Sequence, residues 1–283
     1  MKKSYISVLS LCAALAFPQM YASDGYDEDP YVILCGEADS AMARGDCHEA
    51  AARIKDAIAV RPHSPSNILL MTNLGMVYSM MDSDSLALDA FDRVISDCPD
   101  MKTARIQKAK VLLKTNRDKD AFETFSDVIA LDSLDAEARY YRGIMALYAG
   151  RGDVAEDDLS VLKRIDPHSH RTESALATLY ALTGRNKEAI PYYQSVIARE
   201  PAPEFYAALA GCFLQLENLS EAAAVIADGL RQYPSDPELH YYRAWLNRDR
   251  YRLDDARADA RRAIELGANP ARVNALFASR TKL

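Results

Sequence analysis

The chain has 283 residues, of which 49% are hydrophobic and 27% charged, with a net charge of −7. That much apolar material can fill a large core and excludes wholesale disorder. An acidic balance with no broad basic stripe argues against nucleic acid as the main partner. The 11 glycines and 12 prolines fall mostly between apolar stretches and no alternating run marks a strand, so the chain reads as all-helical.

Residues 1–22 have the pattern of a secretory signal. Lys2 and Lys3 supply a positive start, and Ile6 to Phe17 is an apolar run of signal-core length, too short to span a bilayer. Ala22 suits the cleavage point, although Met20 is large for the position two before it. The expected destination is the bacterial periplasm. The alternative is retention at the membrane, uncleaved or by a lipid on Cys12, where Leu11 is larger than such sites usually accept. Without this leader the chain carries 32 basic and 41 acidic residues, a net of −9. The charge is uneven. Ser23 to Met101 holds 5 basic and 15 acidic residues, and Pro237 to Leu283 holds 10 basic and 6 acidic. Solvated faces account for this imbalance as readily as electrostatic docking does.

Residues 23–30, SDGYDEDP, form an acidic segment expected to be disordered. From Tyr31 a repeat begins. Seven units span 31–64, 68–101, 102–135, 136–169, 170–202, 203–236 and 237–270, with three extra residues, Pro65 to Asn67, after the first. Position 8 of the units reads Ala38, Gly75, Ala109, Gly143, Ala177, Ala210 and Ala244. Position 20 reads Ala50, Ala87, Ala121, Ala155, Ala189, Ala222 and Ala256. Small residues at fixed places imply two helices crossing closely within each unit. Position 24 supplies the filler: Ile54, Phe91, Phe125, Leu159, Tyr193, Ile226 and a small Ala260. Position 32 supplies the stop: Pro62, Pro99, Ser133, Pro167, Pro201, Pro234 and Ala268. Pro191, just past the first turn of its predicted helix, should distort it slightly without breaking it. Residues 271–283 read as a short capping helix and tail, with Ala275, Leu276 and Phe277 as its apolar patch.

The fifth unit shows the pattern best. Leu176, Ala177 and Tyr180 precede the turn Thr183-Gly184-Arg185-Asn186, and Ala189, Tyr193, Val196 and Pro201 follow it. This spacing resembles the tetratricopeptide repeat, a helix–turn–helix unit of 34 residues. The resemblance implies a right-handed superhelical α-solenoid of about fifteen helices. Two departures stand out. The large aromatic often found at position 4 is replaced by Leu34, Met71, Arg105, Arg139, Glu173, Tyr206 and His240. Position 7 is polar at Glu37, Lys108, Arg142 and Arg243.

No catalytic constellation is legible: there is no Gly-rich phosphate loop, no Gly-x-Ser-x-Gly and no His-Glu-x-x-His. His168 and His170, with Asp153, Asp157 and Asp158 nearby, form a metal site only on paper and read better as an exposed loop. Asp82-Ser83-Asp84-Ser85 lacks the glycine and glutamate of a calcium loop and reads as a turn. No cofactor is expected. Cys35, Cys47, Cys98 and Cys212 are expected to be free thiols, because the repeat geometry sets Cys35 and Cys47 too far apart to bridge.

What the resemblance adds is a surface. In that family positions 2, 5, 9, 12 and 13 of each first helix line a concave groove. On this chain they give the candidate partner-binding residues Met76, Met80, Ile106, Lys110, Leu113, Tyr140, Ile144, Tyr148, Tyr241 and Trp245, an apolar wall suited to a protein or peptide partner. The alternative is that neighbouring segments cover this wall. The carboxylate clamp of some family members is not supported, since position 5 is never lysine and position 9 never asparagine. The implied function is a non-catalytic interaction scaffold. The alternatives are a structural or self-associating subunit of an envelope complex and, more remotely, an enzyme with an unfamiliar site.

Overall fold

The computed structural model describes residues 29–278. The expected leader, residues 23–28 and residues 279–283 lie outside the described residues. The last two residues of the acidic segment are structured, contrary to expectation. The Asp29 side chain accepts from the Tyr31 N–H at 3.0 Å, and Pro30 opens the first helix. Proline suits that place because a first-turn N–H has no intrahelical partner to lose.

Fifteen helices and no strand make up the described residues. They are α1 (Pro30–Ala43), α2 (Cys47–Val60), α3 (Asn67–Met80), α4 (Asp84–Asp97), α5 (Lys102–Lys114), α6 (Asp118–Leu131), α7 (Ala136–Tyr148), α8 (Gly152–Ile165), α9 (His170–Leu182), α10 (Asn186–Arg199), α11 (Pro203–Gln215), α12 (Leu219–Gln232), α13 (Pro237–Asp249), α14 (Leu253–Glu265) and α15 (Pro270–Ala275). The chain divides into two compact units, one through Arg142 and one from Gly143, with the division inside α7. In the first unit each helix from α1 to α6 packs on the next, and α3 also meets α5. In the second the same holds from α8 to α15, with α11 also meeting α9 and α13. Each unit is therefore a stack of helical hairpins.

The small residues sit where the helices cross. All five alanines at position 8 and all seven at position 20 are fully buried. A Cβ on Gly75 would lie 2.6 Å from the Phe91 ring, and one on Gly143 would lie 3.2 Å from the Asp158 Cβ. The position-24 fillers Ile54, Phe91, Phe125 and Leu159 are fully buried beside them. The stops also act as expected. Arg61, Cys98, Asp166, Glu200 and Tyr233, each just before a proline, take φ between −126° and −141° and end their helices. Asp132 does the same before Ser133, its own carboxylate accepting from the Leu134 N–H at 3.0 Å. Where Ala268 replaces proline, α14 instead ends at Gly267 with φ 109°. α10 runs through Pro191 unbroken.

Three features extend the sequence reading. Position 15 is left-handed in every unit: Gly45, Asp82, Asn116, Gly150, Gly184, Glu217 and Tyr251 all have φ between 55° and 77°. The polar residues at position 7 reach across to the second helix or its neighbour. Glu37 pairs with Arg53 at 3.2 Å, Lys108 with Asp92 at 2.6 Å and Arg243 with Asp259 at 2.5 Å, while Arg142 donates to Ser126 at 3.3 Å. Polar side chains at position 4 tie down the turn between units. Arg139 Nε donates to the Ser133 carbonyl at 2.6 Å, and His240 Nε2 lies 2.9 Å from the Pro234 carbonyl. These contacts give the turn carbonyls a hydrogen-bond partner that an aromatic ring could not supply.

The capping helix is shorter than expected, ending at Ala275. Val273 and Leu276, spaced three apart on one face, are its buried residues.

Candidate functional site

In the first unit the candidate residues separate by depth. On α3, Leu69 and Met80 are 42% and 48% exposed, and Met76 is half-buried. On α5, Leu113 is half-buried, but Ile106 is buried in the stack and is not part of a solvent-facing wall. Lys110 Nζ pairs with Glu137 and stands 5.5 Å over the Tyr141 ring. Tyr140, half-buried, meets Tyr141 edge-on at 5.8 Å, and Tyr141 stacks on Phe125 at 5.2 Å. Lys114 Nζ contacts Asp82 at 2.6 Å, Asp84 at 2.8 Å and the Ser79 carbonyl at 3.0 Å. Burial by itself would lower the Lys114 ammonium, but its bonds to Asp82 and Asp84 outweigh that and raise it.

Between α3 and α5 lies a small, mostly apolar hollow. Met76, Ser79, Gln107, Lys110, Val111 and Lys114 line it, and it reaches the buried Phe91. On α1, position 9 is Asp39, a residue the apolar reading of the groove passed over. It is half-buried, and among the described residues no cation or hydrogen-bond donor is bound to its carboxylate. Burial pushes that carboxyl up to about 6. Burial also raises the neighbouring Cys35 thiol, with the negative charges of Asp39 and Asp29 adding to the effect. A lone aspartate at the right spacing was visible in the sequence, but its lack of a partner was not.

In the second unit Ile144 is half-buried, Tyr148 is 55% exposed, and Leu182, at the same repeat position of α9, is 63% exposed. Of the expected stripe, Tyr140 belongs to the first unit and Ile144 and Tyr148 to the second. Tyr241 and Trp245 are placed differently from expectation. They pack with Val273, Leu276 and Phe277 and form the seat of α15. The Arg272 guanidinium lies 4.0 Å over Tyr241 and 2.5 Å from Glu238. Arg248 donates to the Leu276 carbonyl at 3.0 Å, and the Trp245 indole N–H donates to Asp249 at 2.8 Å. α15 and the residues just after it thus cover the apolar face of the α13–α14 hairpin.

Cys35, Cys47, Cys98 and Cys212 are free thiols. Among the described residues, no group of three His, Cys, Asp or Glu side chains is placed to hold a metal ion. Ser169 caps α9, and His170 sits edge-on to Phe205 at 5.9 Å. Among the described residues no helix is long and apolar enough to cross a membrane.

Sequence patterns of the tetratricopeptide repeat match residues 35–102, 106–170, 174–237 and 214–272. Cellulose synthase operon protein C of Xanthomonas axonopodis pv. citri (strain 306) is 24% identical over 162 residues, which is 54% of this chain and only 10% of that protein. Among solved structures, a tetratricopeptide repeat protein from Parabacteroides merdae superimposes with a TM-score of 0.63 at 20% identity, covering 88% of this chain and 97% of its own. PilW, described as a widely conserved type IV pilus biogenesis factor, gives 0.60 at 21% identity over 75% and 97%. YrrB, described as a TPR protein with an unusual peptide-binding site, gives 0.57 at 19% over 67% and 98%.

Proposed function

Because the chain belongs to the tetratricopeptide repeat family, we propose that it is a non-catalytic scaffold of the bacterial envelope. It holds an extended protein segment against exposed apolar positions of its first helices. The fold supports protein–protein interaction as the general role, and the envelope setting rests on the signal pattern of residues 1–22. The observation that carries the groove is the exposure of Leu69, Met80, Tyr148 and Leu182. All four stand at groove positions 2 or 13, in repeats where the neighbouring small residues are fully buried. Three of the four share position 13, and exposed apolar side chains that recur at one repeat position mark an interaction surface more often than scattered ones do. That YrrB is described by its peptide-binding site is consistent with this reading.

Photo-crosslinkers placed at Met80, Tyr148 and Leu182, with controls at the exposed outer residues Lys119 and Glu123, test it. Covalent adducts in cells from the inner sites alone support the groove. Equal adducts from the outer controls overturn it. The second reading, a self-associating structural subunit, draws on the charge imbalance between the two ends. It would appear as adducts between copies of the chain.

A further inference from the structure

Two features of the first unit are unexplained by packing. The Asp39 carboxylate is half-buried at position 9 of α1 with no cation or donor bound to it among the described residues. The hollow lies between α3 of the second hairpin and α5 of the third, with Met76 and Lys110 as its position-9 residues. A carboxylate withdrawn from water without a partner is destabilised until a cation reaches it. An apolar hollow bordered by a methionine gains from contact with an aliphatic side chain. The lysines beside it do not call for an acid, because Lys110 is held by Glu137 and Lys114 by Asp82 and Asp84.

Resting on the groove reading above, we infer that this face takes an extended segment carrying one basic and one aliphatic residue. The basic residue pairs with Asp39, and the aliphatic one fills the hollow. The charge agrees, since residues 29–101 hold 12 acidic against 5 basic side chains and would draw a basic segment in.

A random peptide library displayed on phage and selected on the purified chain tests the inference. Peptides recovered from it are then titrated by fluorescence anisotropy against three proteins: the unaltered chain, Asp39→Asn, and Gln107→Trp, which plugs the hollow. Circular dichroism verifies that both variants fold. The expected result is enrichment of peptides that carry both Lys or Arg and Leu, Ile or Met. Asp39→Asn should weaken binding about tenfold. A peptide with Gln in place of its basic residue should bind both forms alike, and Gln107→Trp should weaken every peptide that has the aliphatic anchor. Enrichment of neutral or acidic peptides that Gln107→Trp still weakens would leave the groove standing and overturn the basic-segment inference. Binding untouched by either substitution would overturn the groove itself. Absence of any enrichment would overturn the inference as well.

Discussion

Gly36 and Gly75 offer the same chemical change in opposite surroundings. Gly36 lies mid-way along α1, and a Cβ there meets nothing within 4 Å. Gly→Ala at such a place gains the helix-propensity difference, about 0.8–1 kcal/mol. Gly75 gains the same term, but its Cβ would lie 2.6 Å from Phe91 Cε1 and 2.9 Å from Cδ1 and Cζ. Ordinary carbon contacts are about 3.5–4.0 Å, so a fully buried ring must retreat by about 1 Å into a packed core. Overpacking of that kind costs about 1–3 kcal/mol and here falls at the upper end, giving a net loss of about 1–2 kcal/mol. In thermal unfolding each kcal/mol corresponds to about 2–4 °C for a chain of this size. Gly36→Ala should therefore melt about 2–4 °C higher and Gly75→Ala several degrees lower. Phe91→Leu should lose less stability in the Gly75→Ala background than alone, because it makes room for the new methyl. Two shifts of the same sign, or additive effects of Gly75→Ala and Phe91→Leu, would refute the packing argument.

Tyr251, 91% exposed at φ 60°, holds a left-handed backbone that favours glycine. Tyr251→Gly should stabilise by about 1 kcal/mol in urea titration, whereas Gly184→Ala should destabilise by a similar amount. Asp39 has its folded-state carboxyl raised to about 6 from an ordinary 3.8, so its stability contribution is present at low pH and lost as pH rises through about 4 to 6. Asp39→Asn should then raise stability at pH 7 by on the order of 1 kcal/mol, after allowing for water access, and leave it unchanged at pH 3. Tyr148→Ala, at an exposed ring, should shift melting little while removing the inner-face crosslinks. A large fall in melting would show the ring to be core. Intact mass of the envelope-purified protein should give Ser23 as the first residue and four thiols reactive in denaturant. In the native state Cys212 should react last, because burial pushes its thiol up to about 11.

The repeat was legible because its signal is local. Position 8 and position 20 must be small wherever two helices cross, whatever lies beyond them, so seven copies of one constraint suffice to place the helices. The stops were legible for the same reason, since proline acts on the residue before it. Position 15 was less so. Glycine marks only three of its seven places, and Asp82, Asn116, Glu217 and Tyr251 are held left-handed by the helices on either side.

Depth was decided by tertiary structure alone. Ile106, Tyr241 and Met80 occupy groove positions of one pattern, yet two are buried and one stands in solvent. The repeat fixes which way a side chain points, while its neighbours fix how much water reaches it. Tyr241 and Trp245 are covered because Val273, Leu276 and Phe277, on and just after α15, pack over them. Whether a charge has a partner is likewise a matter of what lies across the helix. Glu37 finds Arg53, and Asp39, two residues further on, has no cation bound to it among the described residues.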